Sequence, residues 1–188
     1  MIRQWQPDLP IFIIGHSMGG LISTLYLLEH QDELTGAILS APLIKASDEP
    51  SVVITTLAKT FSKILPKLPL AQVEAQGVSR DPAVVQAYID DPLVYNGKMT
   101  ARLGAELIRA MQQVRTQATT INLPLLILQG SNDTLVNPAG AQMLYDRAAS
   151  TDKQIKIYNG LYHEIFNEPE HEQVLGDVEL WLEAHLPV

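Results

Sequence analysis

The sequence predicts an α/β fold, a mostly parallel sheet with helices on both faces, and three observations carry the prediction. Short apolar runs rich in β-branched residues recur along the chain, as strands buried on both faces of a parallel sheet require. Helix-length segments separate them, the alternation expected of a sheet with helical crossovers. From about Leu43 to Asn122 that rhythm gives way to amphipathic stripes, which mark a helical insertion. With 188 residues, 46% of them apolar, the chain can build one compact core. One domain is expected: a first core part (1–42), a helical insertion (43–122) and a second core part (123–188).

The elements follow in order. Pro10-Ile11-Phe12-Ile13-Ile14 is a continuous apolar run ending at Gly15 and reads as a buried strand. Leu21 to Leu28 has the apolar density of a buried helix, ending near His30. Gly36-Ala37-Ile38-Leu39-Ser40 is a second buried strand, stopped at Ala41-Pro42 because proline cannot continue a central ladder. In the insertion, Ile54, Leu57, Phe61, Ile64, Leu65 and Leu68 form one helical stripe, and Met99, Leu103, Leu107, Ala110, Met111 and Val114 a second. Each stripe suits either a face packed on the core or a lid facing lipid. Leu123 to Gly130 is the next strand, Ser131-Asn132-Asp133 a polar loop, and a helix starts near Pro138, where proline fits a first turn. Gln154 to Tyr158 alternates as a half-buried strand, and a last helix runs from about Pro169 to Leu186.

Composition excludes several functions. The net charge of −8, with Lys and Arg never in a run, argues against nucleic acid as a partner and against a polybasic membrane anchor. The chain has no Cys, which removes disulfides, thiolate metal sites and a cysteine nucleophile. Arg3, Gln4, Trp5, Gln6, Pro7 and Asp8 interrupt any signal-peptide pattern, and no apolar run reaches bilayer length. A cytoplasmic protein is the default expectation.

Gly15-His16-Ser17-Met18-Gly19 has the Gly-x-Ser-x-Gly pattern of a nucleophile elbow, and it lies where that motif belongs, after a buried strand and before a helix. The serine must occupy a sharp, strained turn that lifts its hydroxyl above the sheet, and the flanking glycines leave room for strand and helix to approach. A serine hydroxyl is a weak nucleophile until a base takes its proton, so a histidine oriented by a buried carboxylate has to follow. Asp133, in the loop after an apolar strand, is the favoured acid, with helix capping as its bland alternative. His163, in Asn159-Gly160-Leu161-Tyr162-His163-Glu164 after the last strand, is the favoured base. His30, His171 and His185 fall in or at the ends of helices and read as surface residues, whereas His16 is expected to shape the site and touch substrate. The N–H of Met18, the residue after the nucleophile, is the assignable oxyanion donor. No metal or organic cofactor is needed for such chemistry.

Gly15-His16-Ser17-Met18-Gly19-Gly20, Asp91-Pro92-Leu93-Val94-Tyr95, Gly130-Ser131-Asn132-Asp133 and Tyr162-His163-Glu164-Ile165-Phe166-Asn167-Glu168 together resemble the monoacylglycerol lipases and lysophospholipases, a branch of the α/β-hydrolase superfamily. The resemblance runs over nearly the whole chain. It implies a catalytic triad of Ser17, Asp133 and His163, lipid or small carboxylic esters as substrates, and a cap that forms the acyl pocket and leans transiently on membranes or lipid aggregates.

Against that family the chain is expected to be a truncated α/β-hydrolase. The elbow normally falls near the middle of the sequence, and the His-Gly motif that supplies a second oxyanion donor has no counterpart before residue 17. The elbow strand then becomes a sheet edge open to pairing, which predicts self-association into a homo-oligomer or a separately supplied first part. The rival to an esterase is a weakly active or inactive hydrolase fragment serving as a binding or assembly module.

Overall fold

The computed structural model describes residues 2–47 and 62–186. Its sheet has four strands, all parallel and in sequence order: β1 (Phe12–His16), β2 (Gly36–Ser40), β3 (Leu125–Gly130) and β4 (Lys153–Tyr158). In chain order the main helices are α1 (Met18–His30), α2 (Pro82–Asp90), α3 (Ala101–Gln117), α4 (Ala139–Arg147) and α5 (His171–Ala184).

Every residue of β2 and β3 is buried, which is why both read as unbroken apolar runs rather than as alternating ones. Successive side chains enter opposite cores. Ala37, Leu39, Leu125 and Ile127 join Leu21 and Leu27 of α1, Val114 of α3 and Leu144 of α4. Ile38, Leu126 and Leu128 join Val174 and Trp181 of α5 on the other face. The strand expected to be buried and to end at Gly15 is different in both respects. It continues through Gly15 and His16, paired with Leu39 and Ser40, and it is only partly buried, with Ile14 55% exposed. Among the described residues β1 pairs with β2 alone, so one of its edges is open.

In the segment between β2 and β3, Asp81 caps α2 by accepting from Ala83 N at 2.8 Å, with Pro82 in the first turn. Thr100 Oγ1 caps α3 from Leu103 N at 3.3 Å. The later part of the second apolar stripe packs on the core: Met111 and Val114 of α3 are buried there, with Leu107 and Ala110 packed against them, while Leu103 is exposed. Of the first stripe, Ile54, Leu57 and Phe61 lie outside the described residues, while Ile64, Leu65 and Leu68 are exposed.

Candidate active site

Ser17 joins β1 to α1 with φ 52° and ψ −119°, a conformation that a residue with a Cβ holds only when its surroundings impose it. Three main-chain bonds do so. Ser17 N donates to Ser40 O at 2.9 Å, and Ser17 O accepts from Leu21 N at 3.1 Å and from Leu43 N at 3.0 Å. A Cβ on Gly15 would lie 2.4 Å from Ser23 Oγ and 2.6 Å from Gly19 O, and one on Gly20 would lie 2.9 Å from Pro42 Cα. Gly19 meets nothing within 4 Å. The close approach of helix to strand therefore depends on Gly15 and on Gly20, just outside the five-residue pattern, and not on Gly19 as the motif suggests. Met18 opens α1, where a main-chain N–H has no intrahelical partner and can serve an anion. The Ser17 hydroxyl does not cap the helix.

Asp133 follows β3 and His163 follows β4, and the parallel register of the two strands brings their loops together. His163 Nδ1 lies 2.7 Å from Asp133 Oδ2, with both side chains buried. A carboxylate can only accept, so Nδ1 carries the hydrogen and Nε2 is left to act as a base. Asp133 is itself fixed: Oδ1 accepts from Leu135 N at 2.8 Å and Val136 N at 3.0 Å, and Oδ2 accepts also from Gln129 Nε2 at 2.9 Å. Among the described residues no hydrogen bond joins the Ser17 hydroxyl to His163.

His16 occupies the gap between these parts. Its ring centroid is 4.8 Å from that of His163 at a 52° tilt, and its Nδ1 is 3.0 Å from Ser40 Oγ. Its Nε2, buried and without a hydrogen-bond partner, faces Glu164 Oε1 at 3.5 Å. The His16 contact, opposed by burial, holds the Glu164 carboxyl below its ordinary range.

The motifs left three supporting features unread. Gln129 is a fully buried amide at the end of an otherwise apolar strand, and that anomaly was the available signal. Glu164 adjoins His163 in sequence without any local sign that it would face His16. Glu168, with its side chain entirely buried, accepts from Arg80 N and Tyr162 N, both at 3.0 Å, and from Arg80 Nε at 2.9 Å. Together with the bond from Glu164 N to Val78 O at 2.7 Å, it fastens the His163 loop to residues 78–80. A cavity of about 450 Å³ opens beside this junction, between α2 and Glu164, Phe166, Asn167 and His171.

A parallel α/β sheet with a serine on a strained strand-to-helix turn, followed by an aspartate and then a histidine on later strand ends, is the architecture of the α/β-hydrolases. The comparisons agree. The family described as "Serine aminopeptidase, S33" matches residues 1–170. A monoacylglycerol lipase of Mycolicibacterium smegmatis is 43% identical over 96% of the chain and 64% of its own length, and the monoglyceride lipase of Mus musculus is 36% identical over 96% and 61%. The crystal structure of the Paleococcus ferrophilus monoacylglycerol lipase superposes with a TM-score of 0.88 at 32% identity, covering 98% of this chain and 72% of that one. A soluble variant of the Saccharomyces cerevisiae monoglyceride lipase, solved with a substrate analog, shares the fold with a TM-score of 0.84 at 24% identity, covering 100% and 66%. The chain belongs to the Serine aminopeptidase S33 family, in the monoacylglycerol lipase branch of the α/β-hydrolases. It spans about 64% and 61% of the length of the two curated relatives described.

Proposed function

We propose that the chain carries the catalytic residues of a carboxylic ester hydrolase acting on monoacylglycerol-like or lysophospholipid-like esters. The observation that carries the reading is the buried His163–Asp133 pair, at 2.7 Å, in a fold that raises Ser17 on a strained turn. Ser17 Oγ attacks the ester carbonyl while His163 Nε2 takes its proton and Asp133 stabilises the imidazolium. The Met18 N–H receives the developing oxyanion. The C–O bond to the alcohol then breaks, the alcohol oxygen takes the proton from His163, and water releases the acid by the same steps in reverse roles. His16, against the His163 ring, lines the substrate side.

Exposed Ile64, Leu65, Leu68, Leu70 and Val73 form an apolar stretch suited to a lipid surface, which supports transient membrane contact. Among the described residues no helix is long and apolar enough to cross a membrane. A second reading, an assembly module that pairs with another chain, is favoured by the open β1 edge and the exposed Ile14 beside it. Size-exclusion chromatography across concentrations that shows only monomer rejects it.

The test of the enzyme is hydrolysis of short- and long-chain p-nitrophenyl esters by the protein and by Ser17→Ala prepared in parallel. Turnover that disappears in the variant is expected. Equal residual rates in both reject the hydrolase reading.

A further inference from the structure

The cavity between α2 and the His163 loop has a distinct charge character. It is lined by the half-buried Glu164 and the exposed Asp91, by the aromatic residues Tyr88 and Phe166, by Asn167 and the single imidazole of His171, and by neither Lys nor Arg. Glu164 is largely shielded, with its side chain 23% exposed. Its oxygens meet an amide, Asn167 Nδ2 at 3.1 Å, and an imidazole, His16 Nε2 at 3.5 Å. The His16 contact, opposed by burial, keeps its carboxyl below the ordinary range, so it is ionised at neutral pH. No Lys or Arg pairs with it among the described residues. Arg80, on the neighbouring junction, is committed to Glu168 and Glu170. Asp91 spends Oδ1 on Leu93 N at 2.8 Å, which is a turn contact and supplies no neutralising cation.

We infer that this cavity receives the alcohol portion of the ester and selects it by charge, favouring an alcohol that bears an ammonium group over its uncharged isostere and rejecting one that bears phosphate. The inference rests on the hydrolase reading in one respect: His163 hands its proton to the departing alcohol, and the cavity reaches that ring through Glu164, which faces His16 at 3.5 Å, and His16, whose ring centroid is 4.8 Å from that of His163. Its physical basis is independent of catalysis. A shielded carboxylate attracts a cation more strongly than a solvated one does, and aromatic rings add a cation–π contribution. A phosphate brought between two carboxylates is repelled, and the chain's net charge of −8 adds to that repulsion. The volume of about 450 Å³ accommodates a head group of choline's size and falls within the range of small-molecule sites. The same lining separates the two ester classes above, because a lysophospholipid presents phosphate here whereas a monoacylglycerol presents a neutral polyol.

The experiment is an NMR titration of the full chain carrying Ser17→Ala with choline, its uncharged carbon isostere dimethylbutanol, glycerol and glycerol phosphate. Choline should bind about five-fold more tightly than dimethylbutanol, the difference expected of one half-shielded charge contact. Glycerol should bind more tightly than glycerol phosphate. Adding Glu164→Gln should bring the first ratio close to one. Equal affinities for choline and dimethylbutanol, no saturable choline binding, or tighter binding of glycerol phosphate than of glycerol overturns the inference. These comparisons need no turnover, so a chain that fails to hydrolyse esters still gives a decisive result on the cavity.

Discussion

Glu168→Ala tests whether one buried carboxylate fastens the His163 loop to the segment around Arg80. Its side chain is fully buried, and three donors converge on it: Arg80 N, Tyr162 N and Arg80 Nε. Truncation orphans two partly buried main-chain donors, each costing about 1–2 kcal/mol, and leaves a small void. The guanidinium costs little more, because Arg80 is 34% exposed and already paired with Glu170. The expected loss is about 3 kcal/mol, the sum of the two orphaned donors and the void. Arg80→Ala removes the same ion pair from its wet side and leaves Glu168 with the Tyr162 and residue-80 main-chain donors, so it should cost about 1 kcal/mol. Urea unfolding at neutral pH measures both, with Glu168→Gln as an intermediate case. A Glu168→Ala loss below that of Arg80→Ala would refute the argument, since the cost would then reside in the surface pair.

Three further outcomes are expected. Gly20→Ala drives a Cβ to 2.9 Å from Pro42 and should destabilise by about 2 kcal/mol, whereas Gly19→Ala has open space and should stabilise α1 by about 0.5 kcal/mol; thermal unfolding of the two should shift in opposite directions. Asp133→Asn removes the acceptor that fixes the His163 tautomer and should lower kcat on p-nitrophenyl esters by about 10⁴, while a loss under ten-fold would deny Asp133 that role. Glu164 has a folded-state pKa below its ordinary 4.5, so the folded protein binds fewer protons there than the unfolded chain does. The stability it confers is complete at neutral pH and is lost as pH falls from 4.5 through the folded-state value. The stability gap between the protein and Glu164→Gln should therefore narrow in acid, and a gap that widened would contradict the assignment.

The parts legible in the sequence are those written in local pattern. β2 and β3 were readable because burial on both faces leaves a continuous apolar run, and the turn at Ser17 because its glycines and flanking elements are contiguous. β1 carries the same kind of run yet pairs on one side only among the described residues; hydrophobicity records what a strand can bury and not which neighbours it has, so the edge expected from the family resemblance was not visible in the run itself. The contacts that fix the candidate site are another matter. Arg80 meets Glu168, and His16 meets Glu164, across separations that no periodicity encodes. His185 shows the same limit at the far end of the molecule. Its place at a helix terminus suggested a surface residue, yet it stacks on Trp181 at 4.1 Å and reaches Asp152 Oδ2 at 3.0 Å.

Sheet order that repeats sequence order has a consequence for how the chain reaches its native state. Phe12 pairs beside Gly36, and Leu125 beside Lys153, so β1-α1-β2 and β3-α4-β4 are each units of short loop closure. The Ala37–Leu125 pairing that welds them must close the whole intervening segment, at an entropic cost of about 4 kcal/mol against about 3 kcal/mol for either unit. Ser17 and the His163–Asp133 pair sit on opposite sides of that weld. Two half-sheets are thus expected to gain protection from hydrogen exchange first, with the β2–β3 ladder the last to follow, and Ser17 reaches the same sheet end as His163 only at that final step.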